Sequence, residues 1–450
     1  MADLRAAVDD AFPKVRQDLD RLVRIPSVSA PGFDPGHVHA SAEATAEILE
    51  AAGLGGVRLL EIEGPGAGTE GTHPAVFGEH PAPAGAPTVL LYAHHDVQPP
   101  GDEADWDSPP FEPTERDGRL FGRGACDDKA GVVLHQSSLM VHDGRPPVGV
   151  KVFIEGEEEV GSPNLPDFLE RYGEELRADV FVLADATNWR AGVPGLTTRL
   201  RGLVDCEVEV RTLDHAVHSG MYGGPFPDAL SALSRLLATL HDDRGNVAVE
   251  GLASGPADPL DLTEAELREQ AGALPGVELI GEGAITERLW TRPAVSVLAI
   301  DAPRVGEASN TLVPVARAKV SLRLAPGDDP DRAMEALVKH LEANAPWGAR
   351  VTVRPGAAAW PYAVRAEGAV FDAARSAFAE AWGADPVDMG AGGTIPFVKA
   401  FAEAYPDAAI LLTGVEDPDG RAHGANESLL LDDFRKACLA QALLLEHLAT

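Results

Sequence analysis

Basic residues are scarce in this chain. Of 450 residues, 37 are Lys or Arg against 71 Asp or Glu, a formal net charge of -34. Phosphate backbones bind basic surfaces, so nucleic acid is excluded as a partner, and the surplus reads as a charge that keeps the chain soluble. Cysteine is scarcer still. Cys126, Cys206 and Cys438 are odd in number, far apart and form no CxxC pair. A disulfide framework or a cysteine-rich zinc site is therefore not expected, and a reducing compartment, the cytoplasm, is. No apolar run reaches the roughly 18 residues of a membrane span. The N-terminal stretch "MADLRAAVDDAFPKVRQDLDRLVRIPSVSA" carries a charge every few residues and reads as an amphipathic helix, not a signal peptide. Internal repeats are absent. The remaining bulk is ordinary for a globular protein, 45% hydrophobic and 24% charged, at a length that suits two domains.

Four short apolar runs, "TVLLYA", "VGVKVFI", "VFVLA" and "AAILLT", read as strands buried on both faces. Helical patterns such as "DDKAGVVLHQSSLMVHD" and "SPNLPDFLERYGEEL" lie between some of them. This alternation predicts an α/β domain with a mostly parallel sheet and helices on both faces. The middle of the chain has a different grammar. "VDCEVEVR" alternates strictly, with Val204, Cys206, Val208 and Val210 on one side and charged residues on the other. With "DALSALSRLLATLHD", "AVSVLAI", "RAKVSLRL", "DPDRAMEALVKHLEANA" and "ARVTV" it gives the order β-α-β-β-α-β, a ferredoxin-like α+β unit. Residues 202–357 are thus expected to form a second domain inserted into a discontinuous first one, 1–201 and 358–450.

The segments just beyond the buried runs are chemically alike. "TVLLYA" ends in "HHDVQPP", "VGVKVFI" in "EGEEEVGS", "VFVLA" in "DATNW", and "AAILLT" leads into "GVEDPDGRAHGANE". Sites in parallel α/β sheets form beyond the carboxyl ends of strands. A further pair, Asp127 and Asp128 in "GRGACDDKAG", opens a helix. One acidic strand end is a solvated loop; five together, with histidines and no cysteine, suit divalent metal, and two ions account for the crowding of carboxylates.

At these residues the chain resembles the M20 metallopeptidases, and within them the carnosinase-like dipeptidases. "YAHHDVQPP", "DGRLFGRGACDDKAG", "EGEEEVGS", "LAD" and "GRAHGANE" are similar to the five metal-site segments of that family, and "GLTTRLRG", "AVHSGMYGG", "VSLRLAP" and "GGTIP" extend the likeness from about Ile25 to Glu427. The resemblance implies a catalytic α/β domain with an inserted lid that forms a homodimer. It implies two divalent ions per chain, zinc first with manganese or cobalt as alternatives, held by His94 and Asp185 on one side and by Glu159 and His423 on the other, with Asp127 between. Asp96, two residues beyond His94, would orient its ring. His95 is the rival ligand but points to the opposite face. Counting back from Gly161–Ser162, the family register makes Glu158 the general base for a metal-bridging hydroxide and leaves Glu157 a solvated neighbour. The Asp127–Asp128 peptide bond is expected to be cis.

On the lid, the resemblance gives His218 the task of meeting the oxyanion in the neighbouring subunit's site, and Arg323 that of clamping the substrate's carboxylate. Thr311, Gly392, Gly393 and Thr394 are further substrate-site candidates. Where many dipeptidase relatives place Arg–Glu, this chain has Gly390–Ala391. The expected reaction is hydrolysis of the amide bond of dipeptides or similar small peptides. The alternative is an N-acyl-amino-acid amidohydrolase on the same scaffold, and the remote one a non-catalytic dimeric binding protein.

Overall fold

The computed structural model describes residues 4–62, 73–258, 260–393 and 395–450. It divides into two compact units. The first comprises Met1–Thr198, Arg365–Met389 and Ile395–Thr450; the second is Arg199–Val364 with a short stretch from Gly390. The sequence boundaries of 202 and 357 lie a few residues inside those of the second unit.

The first unit is built on one large sheet. Its centre is four parallel strands in the order Gly149–Glu155, Thr88–His94, Val180–Leu183, Ala409–Leu412. These are the four apolar runs, and nearly every residue in them is buried. The sheet as a whole is mixed, which corrects the expectation of a mostly parallel one. Gly55–Leu60, Ala75–His80 and Gly195–Leu200 add antiparallel flanks. The physical reason is connection: parallel neighbours need a long crossover, whereas antiparallel strands can be added at the flanks without one, and only the outermost of these is open to solvent. The edge strand Gly55–Leu60 is indeed largely exposed.

Helices cover the central strands. Leu4–Val23 forms the expected amphipathic helix, turning Val8, Phe12, Val15, Leu19 and Leu22 inward. Lys129–Val141 is buried along nearly its whole length; it packs against Leu4–Val23, the C-terminal helix Leu431–Leu448 and the Thr88–His94 strand. A helix enclosed on all sides shows no amphipathic stripe, and the polar residues of "KAGVVLHQSSLMV" are buried with partners, His135 on the Tyr92 carbonyl and Gln136 on Asp18. No helix among the described residues is long and apolar enough to cross a membrane.

The second unit is a four-stranded antiparallel sheet, in the order Ala294–Asp301, Val315–Leu324, Gly202–Arg211, Arg350–Ala359. With helices Ala229–Ala238 and Pro330–Ala343 this is the ferredoxin-like arrangement. Val204, Cys206, Val208 and Val210 pack with Val320, Leu322, Leu233, Leu236, Leu337 and Leu341 in one core. The other sheet face is laced with ion pairs: Arg317–Glu209 at 2.8 Å, Arg354–Glu207 at 2.8 Å and Lys319–Asp205 at 3.2 Å. The edge strand leaves Val297, Leu298 and Ile300 exposed.

Candidate active site

The parallel register decides where the chemistry gathers. His94 lies opposite Glu155, Tyr92 opposite Leu183, and Leu183 opposite Leu412. Four strands therefore end at one level, and the residues just beyond them converge on one edge: His94 and Asp96, Glu158 and Glu159, Asp185, and the loop carrying Glu416 and His423. Asp127, just ahead of the buried helix, joins them. Two of these loops meet where a side chain would not fit: a Cβ on Gly414 would lie 1.3 Å from the Ala186 carbonyl oxygen, so glycine lets the chain pass directly beside the Asp185 turn.

Asp127 is the centre of the cluster. Its Oδ1 is 3.0 Å from His94 Nε2, and its Oδ2 is 2.9 Å from His423 Nε2. On the first side stands Asp185, with Oδ1 at 3.9 Å from the same His94 nitrogen. On the second side stands Glu159, with Oε2 at 3.3 Å from His423 Nε2. His94 Nδ1 lies 3.1 Å from the Asp96 carbonyl oxygen and 3.4 Å from its Oδ1. Both partners are acceptors, so Nδ1 carries the proton and Nε2 is left for the cluster. Asp96 also accepts from Ser29 Oγ at 2.7 Å and from the Glu159 N–H at 3.1 Å. One fully buried carboxylate thus sets the His94 ring and the Glu159 turn together.

The electrostatics are those of a site short of positive charge. Burial, and after it Asp185, pushes Glu158 well above the usual carboxylate range. Burial raises Asp185 strongly, with Asp128 and Asp127 adding to it while His94 opposes. Burial and Asp127 raise Glu159. Burial works against charge on His94, but Asp127 and Asp96 outweigh it and hold the ring well above its normal value. Hydrogen bonds to Asp127 and Glu159 take His423 up to about 11. Tetrahedral ligation at about 2.1 Å sets neighbouring ligand atoms roughly 3.4 Å apart. The separations around Asp127 bracket that value, and the donors are imidazole and carboxylate, so the residues fit divalent metal.

Three features were not anticipated from sequence. Glu157 is not solvated: it is 1% exposed and accepts from the His73 N–H at 2.7 Å and from Asn164 Nδ2 at 2.9 Å, so the loop turns its first glutamate inward. Gln98 clasps Glu159, donating from its backbone N–H to Oε1 at 3.0 Å and from Nε2 to Oε2 at 2.7 Å. Glu416 offers a carboxylate oxygen within 4.8 Å of ligand atoms on Asp127 and Asp185. His95 faces away, with Nε2 2.9 Å from the Pro74 carbonyl oxygen, and burial lowers it to about 4, a neutral structural ring. The Asp127–Asp128 bond is cis.

The second unit carries its own group of candidates. His218 and Thr311 are cross-strand partners in a short antiparallel ladder. The exposed His218 accepts the Gly220 N–H through Nδ1 at 3.0 Å, capping the next turn; the proton therefore sits on Nε2. Arg323 lies on the sheet face opposite Ala318, Val320 and Leu322, half-buried, and among the described residues no hydrogen bond or ion pair holds its guanidinium. Gly392 and Gly393 are exposed, with open space where side chains would stand. Thr394 lies outside the described residues. Gly390 lies against the buried Trp290, whose Cγ would be 2.6 Å from a Cβ at 390, so the tryptophan takes the space an arginine would need there.

Histidines sharing a carboxylate, at the carboxyl edge of an α/β sheet with an inserted ferredoxin-like unit, define a metal-dependent hydrolase class. Similarity to known proteins narrows it. Residues 90–447 match the model of peptidase family M20/M25/M40. The cysteinylglycine-S-conjugate dipeptidase of Corynebacterium striatum is 35% identical over 366 residues, covering 79% of this chain and 80% of that one. The Beta-Ala-His dipeptidase of Rattus norvegicus is 29% identical over 379 residues, covering 80% and 76%. The structure of the dipeptidase Dug1p from Saccharomyces cerevisiae superimposes with a TM-score of 0.85 at 23% identity, over 99% of this chain and 98% of that one. The chain belongs to peptidase family M20/M25/M40, in its carnosinase-like dipeptidase branch.

Proposed function

We propose that this chain hydrolyses the amide bond of dipeptides at a pair of divalent ions, with Glu158 as general base. The observation that carries this reading is the Asp127 carboxylate, which turns one oxygen to His94 and the other to His423. His94 and Asp185 would hold one ion, His423 and Glu159 the other, and Asp127 would serve both. Zinc suits these donors, with manganese and cobalt as alternatives. When bound, the ions supply Lewis-acid polarisation of the amide carbonyl and a water acidic enough to ionise near neutral pH.

The chain's own residues account for the rest. No hydrogen bond among the described residues ties down the half-buried Glu158 carboxylate. It accepts the proton of the attacking water and returns it to the departing amine, a double duty that its raised proton affinity suits. Asp96 keeps the His94 ring in the useful tautomer. His218, with its proton on Nε2, donates to the oxyanion of a partner subunit's substrate, and Arg323 takes the substrate's carboxylate. Thr311, Gly392 and Gly393 are proposed as further substrate contacts. The second unit is read as lid and dimerisation domain. The three buried, unpaired cysteines suit a reducing cytoplasm. Relatives are named for cysteinylglycine conjugates and Beta-Ala-His, so small dipeptides are the proposed substrates.

The test combines metal analysis with a substrate panel. Protein loaded with Zn²⁺ or Mn²⁺ should hold two ions per chain, cleave cysteinylglycine or β-alanyl-histidine, and stop when chelated. Full activity with one ion, or cleavage of N-acetyl amino acids alone, would overturn it.

A further inference from the structure

Glu416 is the carboxylate of this site that the motif reading leaves without a task. Its backbone is fixed from two sides: its carbonyl oxygen accepts the Asn188 N–H at 2.8 Å, and it bridges to Thr187 beside the Asp185 turn. The next residue, Asp417, is buried and paired with Arg119 at 2.7 Å. The side chain is therefore presented from a rigid turn. One of its oxygens lies within 4.8 Å of ligand atoms on both Asp127 and Asp185, and no hydrogen bond or ion pair reaches its carboxylate among the described residues.

A second observation points the same way. Asp128 is fully buried, offers an oxygen to a ring of ligand atoms with His94 and Asp185, and has an Oδ1 with no hydrogen-bond partner. The Asp185 side thus gathers Asp127, Asp128, Asp185 and Glu416 around a single imidazole. The His423 side has Asp127 and Glu159, and Glu159 is already held by Gln98. Like charges this close, desolvated and without a Lys or Arg among them, are relieved only by taking up protons or by a bound cation, and the unpartnered Asp128 oxygen is placed to meet the latter.

We propose that Glu416 is a sixth metal-binding side chain, supplying a further carboxylate oxygen to the ion on the Asp185 side; this rests on the two-ion reading of the site. It makes the two positions unequal, the Asp185 side being richer in hard oxygen donors. Ions that favour oxygen, Mn²⁺ over Zn²⁺, gain most from it.

Calorimetric titration of the metal-free full chain with MnCl2 tests it. Wild type should take two equivalents. Glu416→Gln should keep one affinity and lose about tenfold or more at the other, on the order of a ligand-sphere change. Metal-free Glu416→Gln should melt above metal-free wild type, because it removes one of several crowded like charges, while its stabilisation by Mn²⁺ shrinks. Glu416→Asp keeps the charge but withdraws the oxygen; it should weaken the same step without the metal-free gain, and it serves if the glutamine variant does not fold. Both affinities within twofold of wild type, or a lower melting point for metal-free Glu416→Gln, would overturn the assignment. So would unchanged Mn²⁺ binding with a KM raised only for substrates bearing a free amine, which would give the carboxylate to the substrate's ammonium group. If wild type itself takes up no Mn²⁺, the two-ion reading fails as well.

Discussion

Glu157, Glu158 and Glu159 are consecutive, yet each meets a different environment. Glu157 is locked inward by His73 and Asn164, Glu159 is clasped by Gln98, and of the three Glu158 alone keeps a carboxylate without a hydrogen bond among the described residues. Glu158→Gln should keep its metal and its fold while losing on the order of 10²–10⁴ in kcat, the range for a removed general base. Glu157→Gln should do the reverse: an acceptor is lost at a buried site, costing about 1–3 kcal/mol in stability, with kcat changed only severalfold. Parallel melting and kcat measurements separate the two, and exchanged outcomes would show the register to be wrong. Lys129 yields a prediction of another kind. It is fully buried, donates to the Leu22 and Ile25 carbonyls, and burial lowers it to about 7 from its usual 10.5. Between those values the unfolded chain binds a proton that the folded chain does not, so stability rises with pH through that window. Lys129→Met should flatten the rise, measured as unfolding free energy at pH 7 against pH 10; an unchanged slope would contradict the buried neutral amine.

At the scale of elements, the site depends on how two distant loops are tied. Glu427 accepts N–H bonds from Gly124, Cys126 and Asp127, and its carboxylate meets Arg123 Nη1 at 2.6 Å in a fully buried pair. The other end of the same guanidinium donates to the His423 and Gly424 carbonyls at 3.1 and 3.2 Å. One ion pair therefore fixes the loop bearing Asp127 to the loop bearing His423. Removing either partner strands a buried charge, at a cost of about 3–5 kcal/mol. Arg123→Met and Glu427→Leu should each lower stability by that order and weaken metal binding. The double variant should be less unstable than the sum of the two, while its metal affinity stays low because Asp127 and His423 are no longer held. Denaturant unfolding of the three variants checks this; strict additivity would mean the pair is not the tie.

At the scale of the whole molecule, the question is whether one chain completes its own site. The second unit exposes Val297, Leu298 and Ile300 on an edge strand whose outer side has no partner among the described residues, and self-pairing is the commonest way to cover such a surface. If His218 acts across a homodimer, His218→Ala and Glu158→Gln should each be nearly inactive alone. Mixing them under conditions of subunit exchange should restore both groups at about a quarter of all sites. Activity that stays absent after proven exchange would assign His218 to its own chain or to no catalytic task.

Much of this was legible in one dimension because it is local. Buried strands advertise themselves as apolar runs, the alternation of Val204–Val210 announces a one-sided sheet, and His94, Asp127, Glu159, Asp185 and His423 stand at or beside the ends of predicted elements. Features that depend on the packing of distant segments were not legible. The mixed character of the sheet is set by which distant strands pair at its flanks, and the inward turn of Glu157 by His73, 84 residues away. The approach of Glu416 to Asp127 and Asp185 exists only because a glycine lets the 414 turn run against Ala186. Sequence determined the residue types that gather at this edge and their order along the chain, since residue type and local period suffice for that. Tertiary structure alone decided which carboxylates face one another, because that is a matter of register between strands far apart in the chain.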